Sequence, residues 1–491
     1  MISALFNRFC IIILTFMGRK FFIRYIGIEY LGISGLFSNI LTLLSMADLG
    51  LGTAMNVSLY KPIAMQDTKK LSALMNYYRY LYFIIAISVT VIGLGLIPIL
   101  PYIVNLNENI PYLYIYYIIL VLKNTFSYLF IYKQSILSAD QKSYLVNKLD
   151  IFINIIRVTA QIVSVLFFKS YMIYIVIDLI SIIVHNIAAS HIADKHYPFL
   201  KEKEKLSKGE KRILFENMYS AFLYKISGSI LSGTDNILIS IIVGTIAVGL
   251  YSNYYTIIFN LETIVMLLFN SLTAGIGNLV TTSSFKKRYT TFQTMQMVGN
   301  WMGAFISICL LYLMQDFIVL WLNREMLMDS YVLIAIVINM YYTICMRPVW
   351  TFREGTGMYR QIRYIIFLTA MINVFLSIMM GRIWGVAGIL IATSIAKFVT
   401  CFWYEPMVLF KKFFGINPRK YYFEYFINVL MTIFCALVCY FPISLIKSVS
   451  ILSWVCKSTI CVFIVNTLYL ARYYKTTEFA DIKCKIVNFL R

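Results

Sequence analysis

Stretches of about twenty apolar residues, separated by short basic breaks, recur from one end of this 491-residue sequence to the other. A run of that length crosses the roughly 30 Å hydrocarbon core of a bilayer as a single helix, whose backbone polar groups satisfy one another. Spans are expected near 4–26, 33–60, 75–100, 112–133, 144–168, 171–194 and 213–241. The second half adds spans near 248–283, 290–321, 330–352, 360–383, 385–410, 421–446 and 451–473. The expected fold class is an all-α integral membrane protein of about fourteen transmembrane helices. Only 13% of residues are charged, where a soluble domain carries about a quarter, and the longest polar break leaves no room for an extramembrane catalytic domain.

The net charge of +21 would suggest nucleic acid in a soluble protein. Here the basic residues are parcelled into alternate breaks, as the cytoplasmic loops of a membrane protein are. One set of loops and the C-terminal tail hold twenty-eight Lys and Arg, and the opposite set holds Lys169, Arg324, Arg382 and Lys447. This asymmetry predicts an even number of helices with both termini in the cytoplasm. Nucleic acid is not expected as a partner. The 195–212 segment, KHYPFLKEKEKLSKGEKR, reads as a solvated basic linker.

An internal repeat divides the chain. GLFSN at 35–39 matches GLYSN at 249–253, an offset of 214, and SADQKSYLVNK at 138–148 overlies REGTGMYRQIR at 353–363 at 215. Two six-helix halves in the same orientation follow, the parallel-repeat plan of several secondary transporters. The expected domains are an N-lobe over 1–194, the linker 195–212, a C-lobe over 213–412, and two further helices with the tail over 413–491.

Charge inside a spanning helix costs roughly 2.5 to 3.5 kcal/mol on insertion scales, so such residues mark partners or cavities. Asn147, Asp150, Asn154, Arg157, Gln161 and Ser164 recur at intervals of three and four and form one stripe on the fifth span. Hydrogen bonding between helices and the lining of a wet cavity are both open readings of it. Lys225 shares a face with Ser229, Ser232 and Asn236; Lys123 and Lys397 also lie deep, and Arg19 lies with Thr15 on the first span. Lys457, Arg79 and Arg8, near span ends, read as snorkelling side chains. Acidic residues in the spans are fewer, namely Asp48, Asp178, Asp235 and Glu262. A cationic interior would attract an anion, and phosphate or pyrophosphate matches Arg and Lys well.

Several chemistries lack their residues. The His, at 185, 191 and 196, do not form a metal cluster; the nine Cys contain no CxxC pair and read as small apolar packers; no GxxxxGK[ST] loop is present. No cofactor is expected, and the chain does not read as an enzyme.

EYLGISGLFSNILTLLSMADLGLGTAM at 29–55, TDNILISIIVGTIAVGLYSNY at 234–254 and GVAGILIATSIAKF followed by Glu405-Pro406 carry a resemblance to Wzx-type polysaccharide flippases of the multidrug, oligosaccharidyl-lipid and polysaccharide exporter (MOP) superfamily. The resemblance implies a V-shaped pair of six-helix lobes followed by two extra helices. It also implies flipping of an undecaprenyl-pyrophosphate-linked oligosaccharide across the bacterial cytoplasmic membrane, for O-antigen, capsule or another polysaccharide. The polymerase and chain-length regulator of such a pathway would be partners, with membrane lipid. FMGRKFFIRYIG is similar to the first helix of lipid II flippases, and by that similarity Arg19 and Arg24 become cavity candidates.

The combined expectation is alternating access, with Arg19, Arg24, Lys123, Arg157, Lys225 and Lys397 on the pyrophosphate. Asn154, Gln161, Asn236, Asn253 and Asn260 would bond the glycan, and Asp48, Asp178, Asp235 or Glu262 would couple to H+ or Na+. An ion-driven efflux pump for cationic drugs is the first rival, and predicts an acidic cavity. A membrane polymerase or ligase of lipid-linked glycans is the second, and calls for a sizeable outer loop.

Overall fold

The computed structural model describes all residues except 1, 46–50, 106–109, 141, 203, 213, 215–233, 283, 357, 359–360, 482 and 484–491. Its elements are helical throughout the described residues. Nine of the described helical stretches are long and apolar enough to cross a membrane, and one of these, Tyr364–Phe414, contains two of the expected spans. The chain divides into two compact units, Met1–Gly249 and Leu250–Arg491.

The first unit contains α1 (Ile2–Tyr25), α2 (Ile28–Leu44), α3 (Leu51–Ala64), α4 (Thr68–Gly95), α5 (Leu113–Ala139), α6 (Ser143–Phe168), α7 (Tyr171–His196) and α8 (Asp235–Ile242). It ends on the first turns of α9 (Thr245–Thr282). Helix ends follow local chemistry. Asp67 caps α4 by accepting from the Lys70 amide at 2.9 Å, and Lys169 closes α6 in a left-handed conformation. One core cluster joins α2, the start of α5 and the start of α7 through Leu36, Phe37, Tyr116, Tyr117 and Tyr171. A second joins α3, α4 and the end of α5 through Leu59, Tyr78, Tyr82, Tyr128, Tyr132 and Leu137.

The start of α9 crosses α2 at two glycines. A Cβ on Gly32 would lie 2.2 Å from the Thr245 carbonyl oxygen, and one on Gly249 would lie 2.7 Å from that of Ile28. Only hydrogen fits at this crossing, the small-residue contact by which membrane helices approach closely.

The linker does more than tether. Tyr197 and Leu206 are buried in the second cluster, and the Glu202 carbonyl accepts from Ser72 and Asn76 on α4, each at 2.7 Å. Lys70 pairs with Glu210, and Asp140, at the end of α5, accepts from the Tyr197 hydroxyl at 2.6 Å. A solvated basic linker is expected from the charge run; the apolar and aromatic residues interleaved with it dock the segment while Lys195, Lys205, Lys208 and Lys211 are exposed.

The second unit continues α9 and adds α10 (Phe285–Trp321), α11 (Ser330–Gly355), α12 (Arg363–Val399), α13 (Cys401–Leu409), α14 (Arg419–Ser444) and α15 (Ile451–Tyr473). The two spans expected at 360–383 and 385–410 meet at Gly385, whose φ of 57° and ψ of −136° interrupt α12. An L side chain is strained there, so glycine marks the reversal. Cys435 and Cys439 of α14 and Cys461 of α15 are fully buried with Ala304 and Ile308 of α10. These cysteines are small apolar packers, as read from the sequence.

Two basic residues depart from their expected places. Lys457 is buried and donates to Asp316 of α10 at 2.6 Å instead of snorkelling. Arg353, read as a loop residue, is buried at the end of α11 and donates to Glu405 of α13 at 2.7 Å, with 7% and 3% of the two side chains exposed. In each case an acid from a distant helix reaches the base, which removes the need for water.

Candidate functional site

The polar stripe of α6 faces α7 and α1. From Arg157, Nη1 donates to Asp178 Oδ1 at 3.0 Å and Nη2 donates to Asn154 Oδ1 at 3.0 Å. The second Asp178 oxygen accepts from Lys123 of α5. One carboxylate thus joins three helices, with a cation on each oxygen. Gln161, one turn beyond Arg157, is 3% exposed and donates to the Tyr174 carbonyl at 3.2 Å, and Ser164 donates to the Gln161 carbonyl at 2.8 Å.

A cavity of about 210 Å³ opens beside this cluster. Arg19, Arg157, Gln161, Tyr174 and Asp178 line its polar side, with Thr15 and Ser34, and Phe22, Leu31 and Val165 line its apolar side. At 1.5 Å per residue, Asp178 lies about 10 Å along α7 from its start and Lys123 about 15 Å along α5. Both distances fall within the roughly 30 Å that a hydrocarbon core spans. Their side chains are partly accessible, 32% for Lys123, 28% for Arg157 and 18% for Asp178. The cluster sets two cations, Lys123 and Arg157, on the carboxylate of Asp178, and Arg19 lines the same cavity.

The same α6–α7 seam carries a second polar group. His185 Nε2 lies 2.7 Å from Asp150 Oδ1, and the Asn186 amide oxygen accepts from Gln134 of α5 at 3.1 Å. Sequence spacing showed Asp150 on the stripe but not its partner, because contacts between helices leave no local signal.

The other candidates lie elsewhere. Arg24 is exposed and stands over the Tyr25 ring at 5.7 Å, apart from the cavity. Asn236 is buried on α8 and Asp235 lies in the first turn of that helix. In the second unit, Glu262 is half-buried within electrostatic reach of Lys397 and Arg347, and Lys397 stands over the Tyr342 ring at 6.0 Å. Asn253 is fully buried, and Asn260 donates to the Thr256 carbonyl at 2.7 Å. Lys225 and Asp48 lie outside the described residues. Of the fifteen candidates, Arg19, Lys123, Asn154, Arg157, Gln161 and Asp178 are therefore brought together. Tyr174 and Ser34 join them without having been singled out, since a tyrosine and a serine on apolar helices carry no distinguishing pattern.

No protein-family model matches the chain, and no curated protein does. Solved structures do match. The lipid II flippase MurJ in an inward closed conformation aligns over 96% of this chain and 98% of its own, with a TM-score of 0.72 and 14% identity. An inward-facing multidrug resistance MATE family transporter of the MOP superfamily aligns over 79% and 91%, at a TM-score of 0.59 and 12% identity. The Vibrio cholerae MATE transporter VcmN aligns over 81% and 92%, at 0.59 and 13%. Likeness at these identities speaks for the fold. The chain has the all-helical membrane fold that the lipid II flippase MurJ shares with MATE transporters of the MOP superfamily.

Proposed function

We propose that this protein is a flippase that carries an undecaprenyl-pyrophosphate-linked oligosaccharide across the bacterial cytoplasmic membrane by alternating access. The observation that carries the reading is the pairing of Lys123 and Arg157 with Asp178 on long apolar helices, beside a cavity that Arg19 also lines. Charged side chains within membrane helices are costly and mark functional sites, and bases beside a cavity suit an anionic occupant. Arg157 offers a planar fork that pairs with phosphate oxygens, and Lys123 a point charge. The cavity volume, about 210 Å³, lies below the roughly 300 to 1,000 Å³ of drug-sized sites. A compact polyanionic head-group suits it better than a whole glycan. The extensive likeness to MurJ, whose name states a lipid-linked passenger, supports the same class of substrate.

In this reading Asn154 and Gln161 orient the bases and bond the first sugar. Asn236, Asn253 and Asn260 are further glycan candidates, as Arg24, Lys225 and Lys397 are for the anion. Glu262, set against Lys397 and Arg347, is the coupling candidate of the second unit, and Asp48, Asp178 and Asp235 are those of the first. Both termini lie in the cytoplasm, and the polysaccharide polymerase and chain-length regulator act downstream of the flipped product. The chain does no covalent chemistry.

The MATE likeness favours one other reading, efflux of small cations. The sign of the cluster opposes it. Deleting the gene should leave a lipid-linked oligosaccharide on the inner face of the membrane, and expression in a drug-sensitive host should give no resistance. Resistance without any accumulated glycan would reverse the choice.

A further inference from the structure

A flippase that grips a pyrophosphate must also let go of it. Three bases in a low-dielectric site hold a polyanion more strongly than they would in water, so release needs a substitute for the departing charge. The cluster contains one. Asp178 reaches Lys123 with one carboxylate oxygen and Arg157 with the other, and it lines the cavity itself. It occupies the donors that a phosphate would use.

We propose that Asp178 is an internal counter-ion that competes with the substrate's pyrophosphate for Lys123 and Arg157. The inference rests on the anion-site reading above and adds its regulation. In the empty protein the carboxylate satisfies both bases, which removes the penalty of unpaired buried charge. An arriving pyrophosphate displaces it from Lys123 and Arg157, in the cavity that Arg19 also lines. On the outer side Asp178 returns to the bases and the head-group leaves. The carboxylate thus weakens binding and speeds release. Its apparent effect on affinity is the fraction of time it leaves the bases open: at an open fraction of about one tenth, affinity falls about tenfold.

A merely structural clamp predicts the opposite. Removing a clamp loosens the site, whereas removing a competitor tightens it. Inorganic pyrophosphate is the probe, titrated by calorimetry into purified full-length protein in detergent at constant ionic strength, with monodispersity checked for each variant. Asp178→Asn should bind about tenfold more tightly than wild type, and Arg157→Gln more weakly. Should D178N bind equally or more weakly while R157Q is weaker than wild type, the counter-ion idea fails and the anion site stands. Failure of wild type to bind, with R157Q indistinguishable, would overturn both. If D178N does not fold, the pair K123Q and K123Q/D178N decides. The double variant, which removes one base with the acid, should bind about tenfold more tightly than K123Q; equal or weaker binding refutes the competitor role.

Discussion

Arg157 donates to Asp178 at 3.0 Å across the α6–α7 seam, and Lys123 of α5 holds the other oxygen of the same carboxylate. Three helices of the first unit therefore meet on one acid. Breaking such a buried pair by removing one partner costs about 3 to 5 kcal/mol when fully buried. Here the side chains are 18 to 32% exposed, so Asp178→Ala should lose about 1 to 3 kcal/mol. Thermal unfolding in detergent, followed by loss of helical signal, should show this loss, while D178N binds pyrophosphate more tightly. Reduced stability with improved binding separates a competitor from a support.

Arginine and lysine should not be interchangeable at 157. A lysine keeps the charge but cannot donate at once to Asp178 and Asn154, as Nη1 and Nη2 do. Arg157→Lys should therefore keep normal membrane levels and lower surface polysaccharide by about tenfold, equivalent to about 1.4 kcal/mol. Quantifying polysaccharide per cell against immunoblotted protein checks it.

The buried pair of Arg353 and Glu405 in the second unit is not part of the cavity described above, and its role is read as structural. Arg353→Met or Glu405→Gln alone should destabilise by about 3 to 5 kcal/mol, because a buried ion pair is broken. The double variant R353M/E405L should recover most of that loss. A double-mutant cycle on unfolding midpoints measures the coupling, and a result of additive losses would show that the pair is not coupled.

At the α2–α9 crossing, Gly32→Ala and Gly249→Ala each set a methyl against backbone, at 2.2 and 2.7 Å. Backbone cannot rotate away as a side chain can. Each variant should reduce the folded fraction recovered from membranes by several-fold, with Gly32→Ala the more severe, as size-exclusion chromatography would show.

Docking of the linker should depend on pH. Partial burial pushes the Asp140 carboxyl up, but hydrogen bonds from Lys142 and Tyr197 and the Lys142 charge outweigh it and hold the group below its ordinary 3.8. A carboxyl held down in the folded state contributes stability above that value, and the contribution is lost as pH falls through the lower folded one. Burial and the bond to Asp140 push the Tyr197 phenol well above its ordinary 10.0, so its contribution is present below 10.0 and lost as pH rises beyond the folded value. Limited proteolysis of the 195–212 segment should be slow between about pH 4 and 10 and fast outside that window. Asp140→Asn should raise cleavage at pH 7.

Much of the fold was legible because apolar length sets spans directly. The spans expected at 144–168 and 451–473 are the helices Ser143–Phe168 and Ile451–Tyr473. The stripe of Asn154, Arg157 and Gln161 was legible for the same kind of reason, since positions three and four apart share a face whatever surrounds them. What faced the stripe was not. Asp178 and Tyr174 come from a separate helix, whose register against the stripe no local spacing gives, and the choice between helix bonding and a cavity needed the neighbouring helices; the structure contains both. Lys457 and Arg353 failed for a related reason: a base near a span end looks snorkelled or looped until the distant acid, Asp316 or Glu405, is seen beside it.

Transport of the lipid-linked oligosaccharide itself tests the central claim most directly. Purified protein in proteoliposomes carrying a labelled undecaprenyl-pyrophosphate oligosaccharide on one leaflet should transfer it to the other, read by accessibility to an added glycosidase. Wild type should move the label and K123Q/R157Q should be slower by at least about tenfold, at equal reconstitution. Transfer by the double variant at the wild-type rate, or none by wild type under conditions where MurJ moves its own lipid, would contradict the account.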